Sequence, residues 1–456
     1  MGMEELLVIG MFASFMGLLL LGFPVAWSLA GVGFLFAVIG HFLVEAYQAN
    51  IWFTWDGTIG VLDRRIYGIV ANELMVALPL FIFMGIMLDR SGIAEKLMNS
   101  LVTVLGGLRG GYAVTVVIVG VLLAASTGIV GASVVLLGML SLGPMMAAKY
   151  NKSFAVGTAC SVGTLGILVP PSIMLVLIAD RLGTSEASVG RLFMGALVPG
   201  LLLAFLYIAY ILIAAFIKKD LAPAPKDRKP LNLRAFVNVF WASLPPLALI
   251  IAVLGSIFTG FATTTEASAV GAFGSLLLAL ANRSLNYRVL ADAVHQTSRT
   301  TAFIFAIFIG ATVFASVLRG LGGDDVVRAA IIGLPFGETG VVLVVLLVVF
   351  LLGFFLDWVE ITLIILPLVA PVVFSLGVDP VWFAILFAIC LQTSFLTPPV
   401  GFAIFYIKGV CPPGIQTRDI YKGVAPFVGL QLLGLFLVFW FAPIATWLPN
   451  EMYGIR

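Results

Sequence analysis

The chain reads as an all-α polytopic membrane protein built from two inverted repeats, each with about five spanning helices and one re-entrant hairpin. Three observations lead there. Of 456 residues, 62% are apolar and only 10% charged, and the mean hydropathy is +1.17, far outside the composition of soluble domains. The apolar residues gather in roughly a dozen runs of about 20, the length a helix needs to cross ~30 Å of hydrocarbon, and not in the alternating segments of a membrane barrel. Features of the first half also recur in the second. Pro170-Pro171 and Pro398-Pro399 lie 228 positions apart, while Gly22-Phe23 with Val32-Gly33 matches Gly260-Phe261 with Val270-Gly271 at an offset of 238. Two offsets this similar indicate an internal repeat with a small length change.

In the first repeat, 1–217, helices are expected over 6–21, 24–43, 74–88, 154–179 and 192–217, with a hairpin over 112–146. Glu4 and Glu5 stand where a signal peptide would be positive, so the first run is read as a retained helix. A polar stretch, 218–236, with six basic residues, two acidic ones and three prolines between Lys218 and Arg234, is read as a linker. In the second repeat, 237–456, helices are expected over 237–257, 263–281, 300–318, 381–407 and 425–447, with a hairpin over 341–374. An odd number of crossings per repeat starts the second on the opposite face, hence the inversion. Charge agrees. With the linker inside, the inside loops hold seventeen of the 24 basic residues and six of the 22 acidic ones, as the positive-inside rule requires. Both termini then face out.

Several function classes drop away. Cys160, Cys390, Cys411, His41 and His295 show no metal-ligand or disulfide spacing. "GGLRGG" at 106–111 lacks the GxxxxGK[ST] pattern of a phosphate loop. No nucleophile-base set or paired catalytic acids converge, so an enzyme is not expected, and neither a cofactor nor a nucleic-acid partner is called for.

The chemistry concentrates at the breaks. "GTLGILVPPSIM" at 163–174 and "QTSFLTPPVGFA" at 392–403 each put two prolines inside a long apolar run. Proline has no N–H and clashes with the preceding turn, so carbonyls around Pro170, Pro171, Pro398 and Pro399 lose their helical donors. Such groups must be buried in protein or line a wet cavity. Interrupted helices in corresponding places of two repeats point to the binding site of a secondary transporter. Freed carbonyls with the oxygens of Thr164, Ser172, Gln392, Thr393, Ser394 and Thr397 can coordinate a small cation; a plain proline kink is the alternative.

The hairpin tips supply the complement. The first, "AASTGIVGAS" at 124–133, turns around Ser126, Thr127, Gly128 and Ser133, and the helix beyond begins with N–H groups that suit an anion. The second places Asp357, Glu360 and Thr362 at the corresponding tip. Intramembrane carboxylates mark functional sites, yet Asp-x-x-Glu is also a capping-box pattern; ion binding and capping both stand. Glu266, after Thr263, Thr264 and Thr265, is read as a helix-start residue.

Together, "GTLGILVPPSIM", "TTTEASAVGA", "LDWVEITLIILP" and "LQTSFLTPPVGFAIFYIKGV" resemble the large membrane subunit of tripartite ATP-independent periplasmic (TRAP) transporters, over nearly the whole chain. The resemblance implies an inner-membrane importer of organic anions, typically carboxylates, driven by sodium as coupling ion. It also implies a periplasmic substrate-binding protein, a small four-helix membrane subunit as a separate chain, and an elevator motion of the hairpins and broken helices. It places one sodium site at Ser126, Thr127, Gly128, Ser133, Gly163, Thr164 and Gly166. A second falls at Asp357, Glu360, Thr362, Gln392, Thr393, Ser394 and Thr397. Ile129 stands where the family's usual first tip carries a hydroxyl. A self-sufficient carrier of the same superfamily, coupled to sodium or to protons through Asp357 or Glu360, is the alternative.

Overall fold

The computed structural model describes residues 2–47, 53–127, 130–224 and 233–454. Every regular element among them is helical. Nine of the helices are long and apolar enough to cross a membrane, or ten if Trp55–Val70 with Glu73–Arg90, bent by 49°, counts as one broken span. The chain is a multi-pass, all-helical membrane protein.

The helices form two compact units, and each unit draws on both expected repeats. The first comprises Met1–Val76, Arg299–Val348 and Leu356–Asp379. Its helices Met3–Leu20 and Val25–Tyr47 pack together. The Phe12 and Phe15 rings meet Phe314 at 5.5 and 5.6 Å. Small residues let backbones touch, as in other membrane helix pairs: a Cβ on Gly310 would stand 2.4 Å from the Ala26 carbonyl oxygen. Arg65 donates to Ser316 Oγ at 2.8 Å.

The second unit comprises Ala77–Ser298, Val349–Phe355 and Pro380–Arg456. The first hairpin arms, Gly111–Thr127 and Val130–Ala147, pack on one another and on the helix Lys152–Gly163. Gly163 sits so close to Val134 that a Cβ would reach its backbone at 2.7 Å. The linker's start is tied to this bundle, with Gly110 donating to Ala222 O and Asn151 to Leu221 O.

Five helices lie outside the expected set: Trp55–Thr58, Leu62–Val70, Ile93–Leu105, Gly323–Ile332 and Pro443–Tyr453. Ile93–Leu105 buries Ile93, Ala94, Leu97, Met98 and Leu101 on one face and keeps a polar opposite face, so a hydropathy search passes over it. Tyr287–Gly320 begins well before the expected 300 for the same reason: its first turns are polar. The run expected over 425–447 ends at Trp440, and a new helix starts with Pro443 at its first turn. The linker residues 225–232 lie outside those described.

Candidate functional site

The two runs singled out for their paired prolines are broken, and in similar ways, whereas a third pair, Pro245-Pro246, lies inside the unbroken helix Leu233–Phe258. The helix Lys152–Gly163 tightens into a 3₁₀ turn, Thr164–Ile167, passes through a cis Pro170-Pro171 bond and resumes as Ile173–Leu182. The helix Pro380–Leu396 stops, passes through a cis Pro398-Pro399 bond and resumes as Phe402–Lys408. An α-helical carbonyl is paired by the N–H four residues on. Pro170 and Pro171 cannot serve Gly166 and Ile167, and Pro398 and Pro399 cannot serve Ser394 and Phe395. Two carbonyls recover local partners: Ile167 O accepts from Ser172 Oγ, and Ser394 O from Thr397 N. Gly166 and Phe395 keep carbonyls whose helical donors the prolines have removed. The two breaks differ in surroundings. Pro170 and Pro171 are buried, whereas Pro398 is half-buried and Pro399 exposed, its carbonyl accepting from Tyr421 OH at 3.1 Å.

Within the second unit the two breaks meet. Gln392 Nε2 donates to Thr164 Oγ1 at 3.4 Å, across 228 positions, the offset that separates the proline pairs. The bonded residues thus stand at corresponding positions of the two expected repeats. Thr164 Oγ1 donates to Ser161 O at 2.7 Å. Gln431 Nε2 donates to Thr164 Oγ1 at 3.1 Å and to Tyr207 OH at 2.8 Å. Thr164, Tyr207, Gln392 and Gln431 are all fully buried. Gln431 and Tyr207 escape a reading of the breaks alone. A lone glutamine in "GLQLLGLFLVFW" is the signal that could have found one of them, since polar residues in membrane helices tend to face helix partners.

Later helices hold this centre. Lys152–Gly163 packs on Thr417–Trp440, while Pro380–Leu396 packs on both Thr417–Trp440 and Val189–Ile217. Lys152–Gly163 and Thr417–Trp440 approach closely at Gly157 and Gly423, where a Cβ on Gly157 would stand 2.1 Å from the Gly423 carbonyl oxygen.

Of the first proposed ion site, Ser133, Gly163, Thr164 and Gly166 are buried together, where the hairpin's second arm abuts the 3₁₀ turn. Ser126 and Thr127 end the first arm; their side chains, and Gly128, lie outside the described residues. Of the second, Asp357, Glu360 and Thr362 belong to the first unit, and Gln392, Thr393, Ser394 and Thr397 to the second. Gln392, Thr393 and Ser394 are buried and Thr397 half-buried. Three of the four hydroxyl or amide groups are committed to local carbonyls: Thr393 Oγ1 to Ile389 O, Ser394 Oγ to Leu391 O, Thr397 Oγ1 to Thr393 O. Each hydroxyl oxygen keeps lone pairs for a further partner. The turn before the tip presses on this segment, since a Cβ on Gly353 would meet Ser394 Oγ at 2.1 Å.

Asp357 is the N-cap of the short helix Trp358–Glu360 and accepts from Trp358 N at 2.8 Å. Glu360 does not complete a reciprocal box, since Asp357 accepts from Trp358 N and not from Glu360 N, although the Glu360 carboxyl meets the Asp357 backbone N–H. The Glu360 side chain is 1% exposed and its Oε2 has no hydrogen-bond partner, nor does Thr362 Oγ1. The backbone here is a π turn, Ile361–Ile365, which accommodates Pro367, whose missing N–H cannot serve Leu363. Glu266 behaves as read from the sequence. It closes a full capping box with Thr263, accepting from Thr263 N at 2.8 Å while Thr263 Oγ1 accepts from Glu266 N.

A family model described as "Tripartite ATP-independent periplasmic transporter, DctM component" matches residues 12–444. The chain belongs to this family. A C4-dicarboxylate TRAP transporter large permease from Vibrio cholerae is 28% identical, over 97% of this chain and 98% of that protein. The sialic acid TRAP large permease of the same organism is 27% identical, over 98% and 99%. An isethionate TRAP permease, DctMQ, from Oleidesulfovibrio alaskensis is 29% identical over 94% of this chain and 64% of that longer protein. A crystal structure described as the Alcanivorax borkumensis YdaH transporter, of unusual topology, shares the fold. Its TM-score is 0.57 at 14% identity, over 84% of this chain and 90% of that one. The chain is thus the large permease component of a tripartite transporter.

Proposed function

We propose that this permease imports an organic acid across the bacterial inner membrane, driven by sodium flowing inward. A periplasmic substrate-binding protein delivers the acid, and a small four-helix membrane subunit completes the complex. The observation that carries the reading is the matched pair of helix breaks, whose equivalent residues Thr164 and Gln392 touch and whose prolines strip donors from buried carbonyls. Neutral carbonyls and hydroxyls are the ligands a hard monovalent cation takes, and transporters place such ions where helices unwind. Repeats over 1–217 and 237–456, inverted about a cytoplasmic linker at 218–236, put both termini in the periplasm. The location of most basic residues in the inside loops supports this topology. The hairpins and broken helices then move together as an elevator. Relatives named for C4-dicarboxylate, sialic acid and isethionate support a small organic anion as substrate.

A second reading rests on Glu360, a buried carboxyl with an unpartnered oxygen. It makes the chain a stand-alone carrier coupled to sodium or protons. Proteoliposomes holding the chain and its small partner separate the two. The first reading predicts uptake only with an inward sodium gradient and the matching binding protein. Uptake that persists without the binding protein, or that follows a proton gradient alone, contradicts it and favours the second.

A further inference from the structure

We propose that Gln431 and Tyr207 are positioning residues that couple the two ion-binding breaks, so that sodium at one break raises the affinity of the other. The inference rests on the ion-site reading above and extends it from two sites to one linked pair.

The argument starts from donors and acceptors. A glutamine amide has two N–H groups. Both of those on Gln431 are used, one on Tyr207 OH and one on Thr164 Oγ1. Thr164 Oγ1 has one proton and two lone pairs. Its proton goes to Ser161 O, and its lone pairs accept from Gln392 and Gln431. One hydroxyl is therefore saturated by three elements: its own broken helix, the broken helix of the other repeat, and the helix Thr417–Trp440. Gln431 extends the set to Val189–Ile217 through Tyr207. The later helix of each repeat thus contributes one member, separated by 224 positions.

The surroundings make this set behave as a unit. All four side chains are fully buried. The Tyr207 ring is held edge-on by Phe427 at 5.1 Å. In such a dry place hydrogen bonds are strong and a missing partner is costly, so a displacement of Thr164 when the first break takes an ion is passed to Gln392, beside Thr393 and Ser394 of the second. A network serving packing alone would leave no acceptor empty. Here Oε1 of Gln392, Oε1 of Gln431 and Oγ of Ser161 are buried without partners, the exceptions that buried polar groups rarely show. The spare acceptors let the amides exchange partners without opening to water.

The test is sodium-dependent uptake by the reconstituted complex with its binding protein, for the wild type, Gln431→Met and Tyr207→Phe. Both substitutions keep volume and remove hydrogen bonds. The proposal predicts a wild-type Hill coefficient for sodium well above about 1, and at most about 2 if two sites are linked. It should fall to about 1 in Gln431→Met, with half-saturating sodium raised about fivefold or more and the substrate KM at saturating sodium unchanged. Tyr207→Phe, which removes one of the two Gln431 bonds, shifts in the same direction by less, with a lowered melting temperature because a buried Gln431 N–H loses its acceptor. A sigmoidal sodium dependence kept by both variants overturns the coupling while leaving the ion sites standing. So does a hyperbolic wild type. Wild-type uptake indifferent to sodium removes the ion-site reading itself, and the coupling with it.

Discussion

Asp357 caps a helix in the structure and is an ion ligand in the proposed function, and substitutions can separate the two. Its carboxylate accepts from Trp358 N, and N-caps of this kind are worth about 0.5–2 kcal/mol. Asn caps as well as Asp but has no charge. Asp357→Asn therefore preserves thermal stability in detergent and weakens sodium activation of uptake, whereas Asp357→Ala loses about 1 kcal/mol of stability as well. Melting curves and sodium titrations on both variants check this; equal sodium activation in wild type and Asp357→Asn limits the residue to capping. The sequence showed the Asp-x-x-Glu pattern and its two meanings. It could not show that Asp357 accepts from Trp358 N instead of Glu360 N, because both geometries share one sequence pattern; the π turn, Ile361–Ile365, begins only after Glu360. Glu266 was legible, and its whole box forms within four consecutive residues.

At the scale of elements, the two broken helices were visible because their proline pairs recur at one offset beside oxygen-rich residues; a missing N–H alone does not decide it, since Leu233–Phe258 runs on through Pro245-Pro246. The meeting of the two breaks was not visible. The bond between Thr164 and Gln392 spans 228 positions, and only the shared offset hints that the two positions are related. Gln431 and Tyr207 lie in helices whose composition reads as lipid-facing, so their inward partners stayed hidden until the packing was known. Short amphipathic helices such as Ile93–Leu105 escaped for want of hydropathy, although their buried faces repeat at helical spacing. The crossing of Lys152–Gly163 with Thr417–Trp440 depends on two glycines. A Cβ on Gly423 would stand 1.9 Å from the Ser153 carbonyl oxygen, so the helices must separate to admit one. Gly423→Ala is expected to destabilise the protein by about 1–3 kcal/mol, the usual cost of overpacking, read as a lowered melting temperature. Gly429→Ala, on the same helix with nothing within 4 Å, serves as the control and melts like the wild type. Equal melting of both variants removes the close crossing from the account.

For the whole molecule, the sequence repeat and the spatial division are different partitions. The repeats expected from the sequence divide the chain near 218–236, whereas the compact units interleave segments from both sides of that division, with the first unit taking Met1–Val76 and Leu356–Asp379 alike. A linear reading finds repeats through offsets, but compactness depends on which faces are covered, and uniformly apolar helices do not announce their partners. The composition, the broken runs and the family resemblance were enough to place the chain among TRAP large permeases. The cross-repeat centre at Thr164 needed coordinates. The central claim is that the breaks hold sodium, and it is tested most directly by equilibrium binding of radiolabelled sodium to the purified complex without substrate. The account predicts saturable binding that is competed by unlabelled sodium and not by choline, and that is reduced when Asp357→Asn and Thr393→Val are combined. Absence of saturable binding, or full binding by the double variant, contradicts it.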